Sequence, residues 1–206
     1  MGRPKKSEGR DTRAEILDAA LNLFAISGYF GTSMRQIARA VGVRESALYH
    51  HFPSKESILN ELMGELGPAR AQQLAAVDVP MMARQLGVEG LLRAVVDRLT
   101  EEWFNPREQK FLRLLMSEAP RLSEAGLFDA RAFTNAGRMQ VARLFSELVR
   151  VKAIRKIDPA GAAIAFIGPM VALRMIHLGL PGGTPDLKAM KKDITLHLDY
   201  FIDGIT

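Results

Sequence analysis

The chain has 206 residues, 48% of them hydrophobic, so it is long enough and apolar enough to build a core. It contains no cysteine, which excludes disulfides, cysteine-ligated zinc and a cysteine nucleophile and favours a reducing, cytoplasmic location. The net charge is +5. A basic arm over residues 1–10 carries Arg3, Lys5 and Lys6 without the apolar segment of a signal peptide, and it suits either phosphate contact or a solvated tail.

Helical periodicity predicts an all-α chain whose first helix starts near residue 12. Thr12 and Glu15 have the spacing of a capping box, in which each side chain satisfies a free backbone N–H group. An apolar stripe over residues 16–24 follows, with hydrophobic residues three and four positions apart. Gly28 is expected to end this helix.

Two shorter helices joined by a tight turn come next. Ser33 opens a second capping box of the form Ser-x-x-Gln, and Gly42 is expected to make the turn. The following helix is predicted over residues 45–51, with Leu48 and Phe52 one turn apart on its buried side. Its other side then exposes small, polar and aromatic side chains. A compact helix of this kind fits the major groove of DNA.

The rest of the chain is also predicted to be helical. Ser54 is expected to cap a helix that begins at Lys55, and Pro159 fits the first turn of a later one. Breaks or kinks are expected at Gly67-Pro68 and Val79-Pro80. The remaining helices are predicted over residues 89–105, 107–119, 127–152, 159–180 and 186–203, with loops at 120–126 and 181–185.

Residues 159–180 are apolar on nearly every side and long enough to raise the question of a membrane span. Arg174, His177 and the interior Pro169 argue against a span, because a charge at bilayer depth is unfavourable. A helix of this composition is also typical of a buried interface. We therefore predict no membrane contact, and a homodimer in which the last two helices of each subunit form a four-helix bundle.

A stretch from Thr12 to Leu59 carries a recognisable set of residues, which are Ile16–Phe24, Gly28, Thr32-Ser33, Ile37-Ala38, Gly42-Val43, Leu48-Tyr49-His50-His51-Phe52 and Ser54-Lys55-Glu56. With these residues the chain resembles the TetR family of bacterial transcriptional regulators. The resemblance implies a dimer whose two reading helices enter successive major grooves of a palindromic double-stranded operator, with half-sites roughly 34–36 Å apart. It also implies a larger second domain that binds a small-molecule effector and makes the dimer contact.

The predicted DNA contacts fall into two groups. Residues at the start of the second helix are expected to contact the DNA backbone. So are Tyr49 and His51, which match family positions that bond phosphate, and Lys55, which stands at a helix start where amide N–H groups also attract phosphate. Outward residues of the reading helix are expected to contact base edges, Glu45 at cytosine and Ala47 at a thymine methyl group. Plain surface exposure is the alternative for each. The full set is Thr32, Ser33, Arg35, Arg44, Glu45, Ser46, Ala47, Tyr49, His50, His51, Lys55, Arg3, Lys5 and Lys6.

One position departs from the family pattern. Arg44 stands at the N-cap of the reading helix, where the family usually has Ser or Thr, and losing that cap costs about 1 kcal/mol. The cation also opposes the helix dipole. Contact of Arg44 with a phosphate, or with O6 and N7 of guanine, would offset this cost. The alternative is a surface arginine with a backbone group left to water.

The predicted effector pocket lies in the second domain and combines apolar and aromatic walls with a few polar groups. Arg174 and His177, three residues apart in an apolar helix, are the expected polar anchors, and Arg174 suits an anionic effector. The same side chains would also serve as ordinary core. The predicted set is Trp103, Phe104, Phe111, Met116, Met139, Phe166, Met170, Arg174 and His177.

No metal, cofactor or enzymatic site is predicted. His50 and His51 are adjacent and diverge on a helix, so they are poorly placed to chelate one metal. Motifs of serine hydrolases, phosphate loops and zinc proteases do not occur in the sequence.

The expected organisation is a basic arm over 1–10, a helix-turn-helix DNA-binding domain over 11–55 and a ligand-binding and dimerisation domain over 56–206. The expected function is a cytoplasmic, dimeric repressor that a small molecule releases from its operator. The alternative is a helix-turn-helix protein that acts as an activator or a nucleoid-associated protein without a small ligand.

Overall fold

The computed structural model of the chain describes residues 11–67, 78–179 and 186–206. Within these ranges all regular secondary structure is helical, so the predicted all-α class is confirmed. The chain divides into two compact units, an N-terminal unit that ends at Met63 and a larger C-terminal unit that begins at Gly64. The described helices are α1 (Thr12–Ser27), α2 (Met34–Val41), α3 (Glu45–His51), α4 (Lys55–Leu66), α5 (Val79–Trp103), α6 (Pro106–Glu124), α7 (Ala130–Arg150), α8 (Pro159–Arg174) and α9 (Leu187–Ile205).

The start of α1 differs from the prediction by one residue. Asp11, not Thr12, is the N-cap, and its carboxylate accepts hydrogen bonds from the backbone N–H groups of Arg13 and Ala14 at 3.1 and 3.2 Å. Thr12 is the first residue of the helix instead. A carboxylate caps as well as a hydroxyl and also complements the positive end of the helix dipole. Gly28 ends α1 as predicted.

The helix-turn-helix geometry follows the predicted signals. The Ser33 hydroxyl accepts from the Gln36 N–H, and the Gln36 side chain accepts from the Ser33 N–H, which completes the capping box. Gly42 closes α2 with φ at 78°, a left-handed conformation that favours glycine. On α3, Leu48 is fully buried and Phe52, just beyond its end, is 1% exposed. These two side chains anchor α3 to the N-terminal unit.

Two predictions for the C-terminal unit are wrong. The helix expected to begin at residue 89 begins earlier, at the interruption expected at Val79-Pro80, because Asp78 caps it and proline is tolerated in its first turn. α5 then bends at Gly87, where φ is 72°. The loop predicted at 120–126 is also wrong, since α6 continues through Pro120 to Glu124. Leu122 is fully buried, so burial of this last turn outweighs the backbone hydrogen bond that Pro120 removes.

The core of the C-terminal unit is built by α5, α7, α8 and α9. Its centre is an aromatic cluster of Phe145, Phe166 and Phe201, whose ring centroids lie 5.2–5.5 Å apart. Tilted and edge-on ring pairs at these distances contribute beyond the area they bury. The cluster therefore ties α7, α8 and α9 together.

The last two helices match their predicted positions closely. Asp158 caps α8 through the Gly161 N–H at 2.7 Å, and Pro159 occupies the first turn as predicted. α8 ends earlier than predicted, at Arg174, and continues as a π-helical turn over Met175–Gly179. The loop predicted at 181–185 lies outside the described residues. By length and composition, Pro159–Leu178 passes the test for a membrane span, with a mean hydropathy of 1.6.

Candidate nucleic-acid interface

The outer face of α3 is open to solvent in the N-terminal unit. Tyr49 is 49% exposed, whereas Leu48 beside it is fully buried, so the short helix has one anchored side and one free side. Five predicted contact residues lie at the N-cap of α3 or on its solvent-facing side, and all of them are exposed: Arg44, Glu45, Ser46, Ala47 and His50. The structure thus brings the predicted base-reading residues onto one accessible surface.

Arg44 is the N-cap residue of α3 and makes no side-chain capping hydrogen bond, as predicted. No hydrogen bond or ion pair to its guanidinium occurs in the part of the chain that the structure describes. Among the described residues, the start of α3 therefore presents an unpaired cation beside backbone N–H groups without a side-chain cap. Both features attract anionic oxygen atoms.

Two of the predicted contact residues pair with each other. The Arg35 guanidinium of α2 lies 3.6 Å from the Glu45 carboxylate of α3, and both side chains are exposed, at 86% and 50%. An ion pair this exposed contributes little stability, because water screens it. A DNA phosphate could therefore replace Glu45 as the partner of Arg35 with little loss of stability. The Glu45 carboxylate would then be available to a base edge.

The Lys55 ammonium is held inside the N-terminal unit rather than pointing freely into solvent. It donates to the backbone carbonyls of Tyr29 and Thr32 at 2.7 and 2.6 Å and lies 4.3 Å from the Tyr29 ring centroid. Tyr29 is 5% exposed, and burial together with the Glu56 carboxylate raises the pKa of its phenol. Lys55 thus fixes the connection between α1 and α2, a role that sequence reasoning did not find.

Thr32 lies where a DNA contact is not available to its side chain. It is 3% exposed, and its hydroxyl donates to the Gly28 carbonyl at 2.8 Å. This differs from the expected backbone contact, because the hydroxyl holds the turn after α1 instead. Ser33 is exposed, but its hydroxyl is engaged with Gln36. The basic arm with Arg3, Lys5 and Lys6 lies outside the described residues.

Arg13 supports α3 from its buried side, and no pattern in the sequence indicated this role. Its guanidinium donates to both carboxylate oxygens of Glu61 on α4 and to the His51 carbonyl at the end of α3, the latter at 3.0 Å. It also lies 4.3 Å from the Phe52 ring centroid. One side chain from α1 therefore contacts both α4 and the C-terminal end of α3. Glu61 is 48 residues away, so no local spacing could predict the pair.

Replacing Arg13 by glutamine is expected to loosen the end of α3 while the unit stays folded. The loss in unfolding free energy should be about 1 kcal/mol, because the pair is partly exposed. Backbone amides of His51 and Phe52 should exchange with deuterium faster, as measured by hydrogen exchange. The matched control is Glu61→Gln, which weakens the pair and keeps the bond to the His51 carbonyl. Equal exchange in Arg13→Gln and wild type would contradict this role.

In the C-terminal unit, two of the predicted ligand residues, Arg174 and Trp103, are in contact, and Arg174 forms a largely buried ion pair with Glu108. Arg174 of α8 donates to the Glu108 carboxylate of α6 at 3.0 Å, and the two side chains are 17% and 6% exposed. The guanidinium also lies 5.2 Å from the Trp103 ring centroid. Burial lowers the pKa of Arg174, and the Glu108 charge opposes that shift. This pair has a structural role whether or not it also meets a ligand.

The other predicted ligand residues are spread over the C-terminal unit. His177 contacts the Asp193 carboxylate at 3.1 Å, and the Phe104 ring centroid lies 5.5 Å from the Lys191 ammonium. Met116 and Met139 are 43% and 56% exposed. The remaining residues are buried in the unit: Phe111, Phe166 and Met170.

A cavity of about 520 Å³ opens to solvent elsewhere in the C-terminal unit, between the start of α5, the second half of α7 and Phe166 of α8. Phe166 belongs to the predicted ligand set, and the other eight predicted residues do not line this cavity. Its lining residues are Asp78, Val79, Pro80, Val95, Gln140, Val141, Arg143, Leu144, Ser146, Glu147, Arg150 and Phe166.

Comparison with known proteins places the chain in a family. Residues 16–62 match the family model described as bacterial regulatory proteins of the tetR family. The HTH-type transcriptional regulator TtgW of Pseudomonas putida is 31% identical over 131 residues, which are 64% of this chain and 90% of TtgW. The chain belongs to the TetR family. AcrR of Shigella flexneri is 44% identical to this TetR-family chain over 62 residues, 30% of the chain and 29% of AcrR.

Solved TetR-family structures share the fold of both units. The structure of SmeT, the repressor of the Stenotrophomonas maltophilia multidrug efflux pump SmeDEF, matches with a TM-score of 0.69 and 23% identity, covering 95% of this chain and 92% of SmeT. The predicted architecture, an N-terminal helix-turn-helix domain followed by a larger helical domain, is confirmed. As a TetR-family protein the chain is a DNA-binding transcriptional regulator and not an enzyme, as predicted.

Proposed function

We propose that this TetR-family protein is a homodimeric repressor that binds a palindromic operator with α3 of each subunit and leaves it when a small molecule binds the C-terminal unit. The observation that supports the proposal most is the free face of α3. Exposed polar side chains stand there on a helix held from behind by Leu48 and Phe52. A helix with one anchored side and one free side is what major-groove reading requires.

The proposed contacts sort into positioning and reading. Arg35, Tyr49 and His51 contact phosphates and fix the register, as the backbone contacts of DNA-binding proteins do. Arg44 and outward residues of α3 read base edges, since guanidinium and carboxylate groups match guanine and cytosine edges. The proposed readers are Arg44, Glu45, Ser46, Ala47 and His50. Lys55 and Thr32 act behind them by holding the connection between α1 and α2.

The proposed dimer forms through α8 and α9. Large apolar side chains on these helices are exposed in the single chain, in contrast to the buried core beside them. We propose that these side chains form one apolar face, since an exposed apolar face marks an interaction site. A DNA-binding role supports a cytoplasmic location. It also favours a helix of the partner subunit, rather than lipid, as the surface that covers this face. The exposed residues are Ile164 and Val171 on α8, Met175 and Ile176 on the π-helical turn that follows it, and Leu187, Leu196 and Tyr200 on α9.

Selection of duplexes from a random pool by the full-length protein tests this function. We expect an enriched palindrome with half-sites roughly 34–36 Å apart, about one helical turn, in line with two reading helices on one face of DNA. Affinity should fall steeply as salt rises, because phosphate contacts release counterions. Enrichment of no sequence, or of a single half-site without symmetry, would contradict the proposal.

Replacing Arg44 by serine is expected to change stability and affinity in opposite directions. Serine supplies the missing N-cap, so the free energy of unfolding should rise by about 1 kcal/mol. Operator affinity should fall by about 1–3 kcal/mol if Arg44 reads guanine. Chemical denaturation and fluorescence anisotropy measure the two effects.

The control for this experiment is Arg44→Ala, which removes the guanidinium and adds no cap. It should lose affinity like Arg44→Ser without the gain in stability. If Arg44→Ser binds the operator as tightly as wild type, Arg44 is a surface arginine and does not read DNA.

A further inference from the structure

The cavity in the C-terminal unit has the size and floor of a small-molecule site. Its volume of about 520 Å³ lies within the usual range of roughly 300–1,000 Å³ for ligand pockets. Val79, Val95 and Val141 are each at most 7% exposed, and Phe166 is fully buried. These side chains give the cavity an apolar floor that belongs to the core of the unit.

One edge of the cavity is polar and is supplied by α7. Gln140, Arg143 and Glu147 follow at spacings of three and four residues, which places them along one side of the helix. Ser146 also reaches the lining. In the described part of the chain, the side chains of Gln140, Arg143 and Ser146 have no hydrogen-bond or ion-pair partner. The edge therefore offers donors that nothing in the described structure occupies.

The charged side chains that line the cavity differ in whether another group of the protein already binds them. The Glu147 carboxylate is held by Arg150 at 2.6 and 3.1 Å. The Asp78 carboxylate caps α5 through the Met81 N–H at 2.9 Å. Both carboxylates that line the cavity are thus engaged, whereas the Arg143 guanidinium has no partner among the described residues. The charge left for a ligand at this edge is positive.

We propose that this cavity binds an amphipathic anion, with its aliphatic or aromatic body on the valine and Phe166 floor and its carboxylate on Arg143. A guanidinium binds a carboxylate through two parallel hydrogen bonds, which suits a single acidic group at the polar edge. A neutral ligand would leave that donor fork unused, and a cation would face Arg143 directly. Gln140 and Ser146 add uncharged donors beside it.

This inference rests on the proposed function in one respect, because it names the class of effector. Phe166 lies on α8, and the outward residues of α8 form part of the proposed dimer face. A ligand on the cavity floor therefore touches a helix that the partner subunit would also touch. This gives ligand binding a route to operator affinity through differential contacts with α8.

Isothermal titration of the full-length protein with three probes of equal chain length tests the site. The probes are decanoate, decanol and decylamine, each below its micelle concentration. Decanoate should bind at least about tenfold more tightly than decanol, since a charge-assisted hydrogen bond separates them. Decylamine should bind more weakly than decanol. Equal binding of the three probes, or no binding of decanoate, would overturn the proposal.

Two arginine variants test whether the carboxylate of decanoate binds Arg143. Arg143→Gln should weaken decanoate binding by about tenfold and leave decanol binding unchanged. Arg138→Gln is the matched control, because Arg138 is a residue of the same helix that does not line the cavity. It should bind both probes like wild type. If the two variants lose decanoate affinity equally, the carboxylate does not sit on Arg143.

A third variant tests whether the apolar chain of the probes binds on the cavity floor. Leu144→Trp fills the cavity from one of its lining positions, and it should weaken decanoate and decanol alike while circular dichroism shows an unchanged helix content. Unchanged binding of both probes in this variant would overturn the assignment of the body to this floor. Release of selected operator DNA by decanoate is scored separately. Arg143-dependent binding without release would contradict the effector role under the proposed function and leave the anion site in place.

Discussion

Arg174→Ala is expected to destabilise the C-terminal unit by about 3–5 kcal/mol. The reason is Glu108, whose side chain is 6% exposed and would lose the Arg174 guanidinium, which lies 3.0 Å from its buried carboxylate. The Trp103 ring would also lose the guanidinium that lies 5.2 Å from its centroid. Trp103 is the single tryptophan of the chain, so urea unfolding followed by its fluorescence reports on this unit.

The double variant Arg174→Met with Glu108→Leu is the control for this prediction. It removes both charges and keeps the volume apolar, and replacing a buried ion pair in this way is often neutral or stabilising. Most of the stability lost in Arg174→Ala should therefore return. A loss below about 1 kcal/mol in the single variant would show that water screens the pair. The double variant is also the right background for asking whether Arg174 binds an effector, since the single variant confounds binding with folding.

Ile164→Glu combined with Leu196→Glu is expected to separate the proposed dimer into monomers and to weaken operator binding by about 100-fold or more, because one subunit alone loses the gain from linked half-sites. Both side chains are 52% exposed in the single chain, so the substitutions should cost the subunit little stability. Light scattering after size exclusion at micromolar concentration gives the mass, and fluorescence anisotropy gives the operator affinity.

The matched control is Met139→Glu on α7, which is 56% exposed and lies outside the proposed face. It should remain dimeric and bind the operator as wild type does. A double variant that is still dimeric would place the interface elsewhere. Partition of the wild-type protein into lipid vesicles as a monomer would instead assign the apolar face of α8 to a membrane.

Sequence reasoning succeeded for the N-terminal unit where the signals are local. Ser33 and Gly42 each act within one turn of their own position, and the spacing of Leu48 and Phe52 alone marks the buried side of α3. The bond from Lys55 to the Tyr29 carbonyl spans 26 residues, and the Arg13–Glu61 pair spans 48. Such contacts depend on how the helices pack, and no periodicity encodes them. The sequence therefore predicted which side of α3 is exposed, whereas the contacts that support α3 from within the unit were missed.

In the C-terminal unit, the contrast between local signals and contacts over long sequence distances is stronger. Pro120 does not end α6, because the buried Leu122 in the following turn outweighs the local effect of the proline. The aromatic, methionine and arginine pattern could not separate core from ligand wall, since both need apolar side chains. Glu108 is 66 residues from Arg174, so the sequence did not reveal this buried partner.

The seven residues of α3 are too few to persist as a helix in isolation. The helical shape of α3, which the proposed function requires, therefore exists only while Leu48 and Phe52 stay buried behind it. The outward positions take no part in that insertion, so they can change with little effect on folding. Under the proposed function, the recognised DNA sequence can therefore diverge within a lineage by single substitutions that each leave a folded protein.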